Sequence, residues 1–144
     1  MTRETMSHRP NFWLVTGLLT VVFAACTPSA DDPKPDAVPK SITAEELNEQ
    51  IQRSQAPLIL DVRTKSEYAR GHIPGALNIP HRQLRNRLSE INAAKTEEIV
   101  IHCYSGHRAK IAKKILISAG YLNVRDLDGH MNGWKSGGYP IEKP

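Results

Sequence analysis

The 144-residue sequence predicts an α/β domain in which helices cover both faces of a central parallel sheet. Apolar segments of strand length at 58–62, 99–101 and 124–127 alternate with segments of helical periodicity. Strands and helices that alternate along a chain usually form a parallel sheet, because each helix returns the chain to the same edge. The length suits a single domain, which we place at residues 41–144.

The first helix is predicted to begin at Thr43, where Thr43 and Glu46 have the spacing of a capping box. Leu47 and Ile51 then share one face. Further along the chain we predict a short helix at 65–70, a turn at 71–75, a brief strand at 76–79, a helix at 81–91 with Leu84, Leu88 and Ile91 inward, and an amphipathic helix at 109–120.

The first 25 residues predict a secretory signal peptide. Arg3 and Arg9 make the start basic, and residues 12–25 form an uncharged apolar run. As a helix this run would reach about 21 Å, short of the roughly 30 Å of a bilayer core. A permanent membrane helix is the alternative interpretation.

The end of that run, Phe23-Ala24-Ala25-Cys26, resembles the lipobox of bacterial lipoproteins, with Phe23 where leucine is usual. The resemblance implies cleavage before Cys26 and lipidation of its sulfur, and the alternative is cleavage after Ala24. Residues 26–40 contain four prolines and no aromatic residue, which predicts a disordered tether. We therefore expect a lipid-anchored protein of the bacterial cell envelope that faces the periplasm, or otherwise a soluble periplasmic protein.

The overall charge excludes some function classes. The formal net charge of +4, from 19 Lys and Arg against 15 Asp and Glu, suits small anionic ligands or an anionic membrane surface. No pattern of basic and aromatic residues indicates nucleic-acid binding. Two cysteines are too few for a disulfide framework or a cysteine-rich metal site, and the histidines lack metal-ligand spacing, so no metal is expected.

Cys103 is the candidate nucleophile because it lies between a buried strand and an amphipathic helix. Backbone N–H groups at a helix start favour negative charge, and Gly106 allows the loop to curl around the sulfur as an anion nest. His107 and Arg108 add positive potential, so the thiolate form is favoured. The alternatives are a small buried apolar side chain and a disulfide with Cys26.

Four landmarks together resemble the rhodanese family over residues 41–142. They are Asp61-Val62-Arg63, the segment 67–76, the loop 103–108, and Leu127-Asp128-Gly129 followed by Gly133-Trp134 and Gly138-Tyr139-Pro140. The resemblance implies a rhodanese-like fold and a sulfurtransferase that needs no cofactor. Thiosulfate would donate sulfur to Cys103, and cyanide or a thiol would remove it from the resulting persulfide.

The resemblance also implies roles for individual residues. The substrate-binding loop would comprise Tyr104, Ser105, Gly106, His107 and Arg108, with Arg108 neutralising the donor. Asp61, Arg63 and Glu67 are expected to form a charge cluster that fixes the first loop. His130 replaces a glycine common in the family, and we interpret it as a surface residue rather than a proton-transfer group.

Two other functions remain possible at this stage. One is a persulfide carrier or binding module with little turnover of its own. The other is a related dual-specificity phosphatase of the cell-division-cycle type or an arsenate reductase. Those phosphatases place five residues between the cysteine and the arginine, whereas Cys103 and Arg108 are separated by four. The shorter loop favours sulfur chemistry over phosphate chemistry.

Overall fold

A computed structural model describes residues 40–144 of the chain. The signal peptide predicted for residues 1–25, the lipidation of Cys26 and almost all of the tether lie outside the described residues, and these stay predictions. In the described part of the chain, every helix is too short or too polar to cross a bilayer.

Five parallel strands form the sheet in the order β1-β5-β4-β2-β3. The predicted fold class is therefore confirmed. In the register of β2 with β4, Asp61 is the partner of His102, so both strands end at the same edge, directly before Cys103. The strands are β1 (Ser41–Ile42), β2 (Leu58–Asp61), β3 (Leu77–Asn78), β4 (Glu98–His102) and β5 (Asn123–Leu127).

In the described part of the chain, four α-helices surround the sheet: α1 (Ala44–Gln52), α2 (Lys65–Ala69), α3 (His107–Ser118) and α4 (His130–Ser136). Thr43 caps α1 as predicted, since its hydroxyl accepts a hydrogen bond from the Glu46 N–H. The complete capping box occurs instead at α2, between Thr64 and Glu67. The sequence pattern predicted neither β1 nor α4.

The prediction of a helix at 81–91 is wrong. This segment forms two short 3₁₀ turns, Leu84–Asn86 and Leu88–Glu90, whose backbone bonds span three residues. Leu84 and Ile91 are nevertheless buried, as the apolar spacing predicted. The spacing thus identified the buried side chains but not the backbone that buries them.

Side chains that alternate along β4 build a core on each face of the sheet. Ile99 and Ile101 join the apolar cluster beneath α3, whereas Val100 joins the cluster that contains Trp134. Cys103 continues the first of these alternations and packs at the edge of the α3 cluster. The nucleophile candidate therefore lies where a rigid strand meets a helix start.

Candidate active site

The loop after β4 turns a backbone amide toward the sulfur of Cys103. Cys103 is a free cysteine with 1% of its surface exposed, and its Sγ accepts a hydrogen bond from the Gly106 N–H at 3.1 Å. Gly106 has a φ of 104°, a conformation that other residues rarely adopt. The prediction of several converging amides was too broad, because within residues 40–144 only this one backbone amide donates a hydrogen bond to Sγ.

The first turn of α4 holds the same loop from its other side. The Met131 N–H donates to the Cys103 carbonyl at 3.0 Å, and the Asn132 N–H donates to the Tyr104 carbonyl at 3.2 Å. These contacts were missed by sequence reasoning. The signal in the sequence that could have revealed them is the family signature at Gly129, which directly precedes α4 and has a φ of 69°.

His130 is not a freely exposed residue, contrary to our interpretation. Its ring is half-buried against the cysteine loop, where a Cβ at position 106 would lie 2.6 Å from the His130 Nε2. Burial is the main cause that lowers the pKa of His130, and Lys110 lowers it further, while Asp126 and Asp128 act in the opposite direction. A side chain at position 106 would therefore have to displace the His130 ring, and the positive φ of Gly106 disfavours any other residue there.

Arg108 is held in place by a carboxylate. Its guanidinium donates to Glu67 through Nη1 at 2.7 Å and through Nη2 at 2.9 Å. This bidentate pair holds the pKa of Glu67 well below its usual range and raises that of Arg108, to which Cys103 makes smaller contributions in the same direction. Arg108 thus lies in the first turn of α3 bound to Glu67, and much of its charge is already compensated.

Asp61 and Arg63 form a second, separate pair. Arg63 Nη2 lies 2.6 Å from Asp61 Oδ2, and the same nitrogen donates to the Gly71 carbonyl at 3.0 Å. The predicted cluster of Asp61, Arg63 and Glu67 is therefore divided. Asp61 and Arg63 stabilise the loop after β2, whereas Glu67 reaches across to the cysteine loop.

His102 is a buried neighbour of Cys103 that sequence reasoning missed. Its Nε2 lies 3.8 Å from Asp61 Oδ2, beyond hydrogen-bond distance, and has no hydrogen-bond partner within residues 40–144. Burial lowers the pKa of His102 to about 4, so the ring is neutral near pH 7. The available signal was its position at the end of an apolar strand, directly before Cys103.

The outer rim of the loop is open to solvent. Tyr104 is 47% exposed, and Ser105 and His107 are also exposed. A cavity of about 740 Å³ opens beside Arg108, but Cys103 is not among its lining residues. Within residues 40–144, no three His, Cys, Asp or Glu side chains lie close enough together to hold a metal ion.

The fold and this site define an α/β protein with a cysteine at the carboxyl end of a central strand. A glycine amide donates a hydrogen bond to its sulfur, and the helix that follows carries an arginine in its first turn. A family model described as a rhodanese-like domain matches residues 43–137. The chain belongs to this rhodanese-like sulfurtransferase family.

The relatives agree with this assignment. A sulfurtransferase of Allochromatium vinosum is 37% identical over 103 residues, which are 72% of this chain and 94% of that protein. The thiosulfate sulfurtransferase GlpE of Pseudomonas fluorescens is 30% identical over 95 residues, covering 65% and 83% of the two chains. The crystal structure of a rhodanese-like domain protein from Staphylococcus aureus has a TM-score of 0.63 and 33% identity, and the match covers 73% and 98% of the two chains.

Proposed function

We propose that the protein transfers sulfur from thiosulfate or a similar donor to cyanide or a thiol through a persulfide on Cys103. The observation that carries this proposal is the hydrogen bond of 3.1 Å from the Gly106 N–H to Cys103 Sγ, at the start of the helix that carries Arg108 in its first turn. A purely apolar role for Cys103 would not account for this amide. An amide at the sulfur and a helix start beside it stabilise negative charge on the thiolate and on the persulfide.

In the first step, the Cys103 thiolate attacks the outer sulfur of thiosulfate. A bond forms between Sγ and that sulfur, and the sulfur–sulfur bond of thiosulfate breaks with its electron pair remaining on sulfite. In the second step, cyanide or a thiolate attacks the terminal sulfur of the persulfide. The electron pair of the breaking bond returns to Sγ and regenerates the thiolate, so no external oxidant or reductant is required.

The backbone around Cys103 keeps the sulfur in one place through both steps. The Cys103 and Tyr104 carbonyls accept hydrogen bonds from backbone amides of α4, so the loop does not have to reorganise when the persulfide forms. Tyr104 and His107 lie at the exposed rim, where they would contact donor or acceptor. The bidentate contact to Glu67 orients Arg108 without leaving its full charge free.

Mass spectrometry after incubation with thiosulfate tests the proposal. The wild-type protein is expected to gain about one sulfur atom and to release sulfite in equal amount, then to turn over steadily when cyanide is added. Cys103→Ser is expected to fold normally and to lose transfer by at least about a thousandfold, because a serine hydroxyl is far less nucleophilic than a thiolate.

The controls separate the competing functions. A stoichiometric burst without turnover would identify a persulfide carrier. Hydrolysis of an aryl phosphate without sulfur loading would replace the proposal with a phosphatase. Normal sulfur transfer by Cys103→Ser would refute the Cys103 persulfide. Circular dichroism of the variant checks that any loss does not arise from unfolding.

We also propose that lipid on Cys26 anchors the domain to a bacterial membrane, facing the periplasm. The basic start, the short apolar run and the sequence Phe23-Ala24-Ala25-Cys26 support this proposal. In a bacterial host, Cys26→Ala is expected to move the protein from the membrane fraction to the soluble fraction while sulfur transfer persists. Continued membrane association of that variant would exclude the lipid anchor.

A further inference from the structure

The cavity beside Arg108 is larger than a small inorganic donor requires. Its volume of about 740 Å³ lies within the range typical of small-molecule sites. The start of α2 contributes Lys65 and Ser66, and the segment after β3 contributes His81 and Arg82. Arg108, which also lines the cavity, lies in the first turn of α3, directly after the loop that carries Cys103. The cavity therefore opens on the side of the domain where the cysteine loop meets α3.

The uncompensated charge of this cavity is positive. Within residues 40–144, neither Lys65 nor Arg82 forms an ion pair, although both side chains are exposed. Glu67 is bound to Arg108, the third strong cation of the cavity lining. Glu90, whose pKa is lowered mainly by Arg87 and slightly by Lys65, is bound to Arg87 at 2.6 Å.

The pKa of His81, which also lines the cavity, indicates a positive electrostatic potential there. Its pKa is lowered first by burial and then by the charges of Arg108, Arg82 and His107. The charges that act on this ring are thus all cationic. A ligand with several negative charges would replace water at Lys65 and Arg82 and would gain from both.

We infer that this cavity binds the carboxylates of the sulfur acceptor, which is a small thiol carrying at least two negative charges. The inference rests on the proposed function and narrows its acceptor. The acceptor's carboxylates lie by Lys65 and Arg82, and its sulfur points past Arg108 toward Cys103. Its thiolate forms a bond to the terminal persulfide sulfur, and the electron pair of the old sulfur–sulfur bond returns to Cys103 Sγ.

The test compares two thiols as acceptors, mercaptosuccinate with two carboxylates and uncharged 2-mercaptoethanol, at saturating thiosulfate. In the double variant Lys65→Gln/Arg82→Gln, the ratio of kcat/KM for mercaptosuccinate to that for 2-mercaptoethanol is expected to fall about tenfold, because two attractive charges are lost. The matched control Lys114→Gln/Arg85→Gln removes the same two residue types from exposed positions outside the cavity lining, and its ratio should stay within twofold of wild type.

Calorimetry of mercaptosuccinate binding to the unloaded protein gives a second measurement that needs no turnover. The dissociation constant is expected to rise about tenfold in the cavity variant and to be unchanged in the control. Equal ratios and equal binding in the cavity variant and the wild type would overturn the inference. Failure of thiosulfate to load wild-type Cys103 would instead overturn the proposed function. The calorimetric comparison would then show by itself whether the cavity binds a dicarboxylate through Lys65 and Arg82.

Discussion

Two arginine–carboxylate pairs flank the cysteine loop, and they differ in their access to water. Asp61 and Arg63 are almost completely buried, with 0% and 2% of their side chains exposed. Glu67 and Arg108 are each 23% exposed, and Arg108 lines the cavity. The first pair joins residues two apart in sequence, whereas the second joins residues 41 apart.

This difference in burial determines how easily each pair can open. A buried charge that loses its partner has no water to replace it, so the Asp61–Arg63 pair cannot open without disrupting the loop after β2. The Glu67–Arg108 pair is partly solvated, and opening it is less costly. Arg108 can therefore exchange Glu67 for an incoming anion at a lower cost than Arg63 can exchange Asp61.

The largest expected effect comes from breaking the buried pair. Asp61→Asn leaves the Arg63 guanidinium buried without a counter-charge, and the free energy of unfolding should fall by about 3–5 kcal/mol. Urea denaturation at pH 7 measures this loss. The control Asp128→Asn changes an exposed aspartate whose side chain accepts one long bond from Ser41, and it should cost about 0.5 kcal/mol or less. A loss as small for Asp61→Asn would show that the buried pair is not structural.

An intermediate effect is expected from acid, because His102 lies next to the buried pair. The unfolded chain protonates this histidine near pH 6.5, whereas burial lowers its folded pKa to about 4. The unfolded state therefore binds more protons in this window, and stability contributed by His102 is lost as the pH falls from about 6.5 to 4, by on the order of 3 kcal/mol. Urea titrations across this range, compared with His102→Gln, would reveal it. Parallel pH profiles of the two proteins would rule it out.

The smallest effect is expected at the partly solvated Glu67–Arg108 pair. Glu67→Gln removes the bidentate contact with Arg108 and should lower the free energy of unfolding by about 1 kcal/mol at pH 7, after allowance for solvent screening. The folded pKa of Glu67 is lowered, so its contribution is complete above about pH 4.5 and is lost as the pH falls further. The difference between variant and wild type in urea midpoints should thus shrink below pH 4.5. A constant difference down to pH 3 would contradict the ion-pair origin.

The parts of the fold predicted from sequence are those set by local pattern. The apolar run Ile99–Ile101 predicted β4, and the spacing of Ala112, Leu116 and their neighbours predicted α3. The loop between them places Cys103 at the carboxyl end of a strand, as expected for a ligand site in a parallel sheet. These features depend on residues that are close together along the chain.

The parts that were missed depend on contacts between distant segments. The seven-residue α4 contains Gly133 and is stabilised by burial of Met131 and Trp134 rather than by strong helix propensity. The apolar spacing at 81–91 predicts the same buried side chains for a helix and for 3₁₀ turns. The pairing of Glu67 with Arg108 requires knowledge of how α2 and α3 meet, which no local pattern contains.

The hydrogen bonds from α4 to the Cys103 and Tyr104 carbonyls join the cysteine loop to a segment that is synthesised later. A growing chain carries the cysteine before it carries α4, because translation proceeds toward the carboxyl terminus. Until α4 docks, the Cys103 and Tyr104 carbonyls lack their hydrogen bonds from Met131 and Asn132. The final geometry of the loop around Cys103 is therefore set only after the carboxyl-terminal part of the domain has been made.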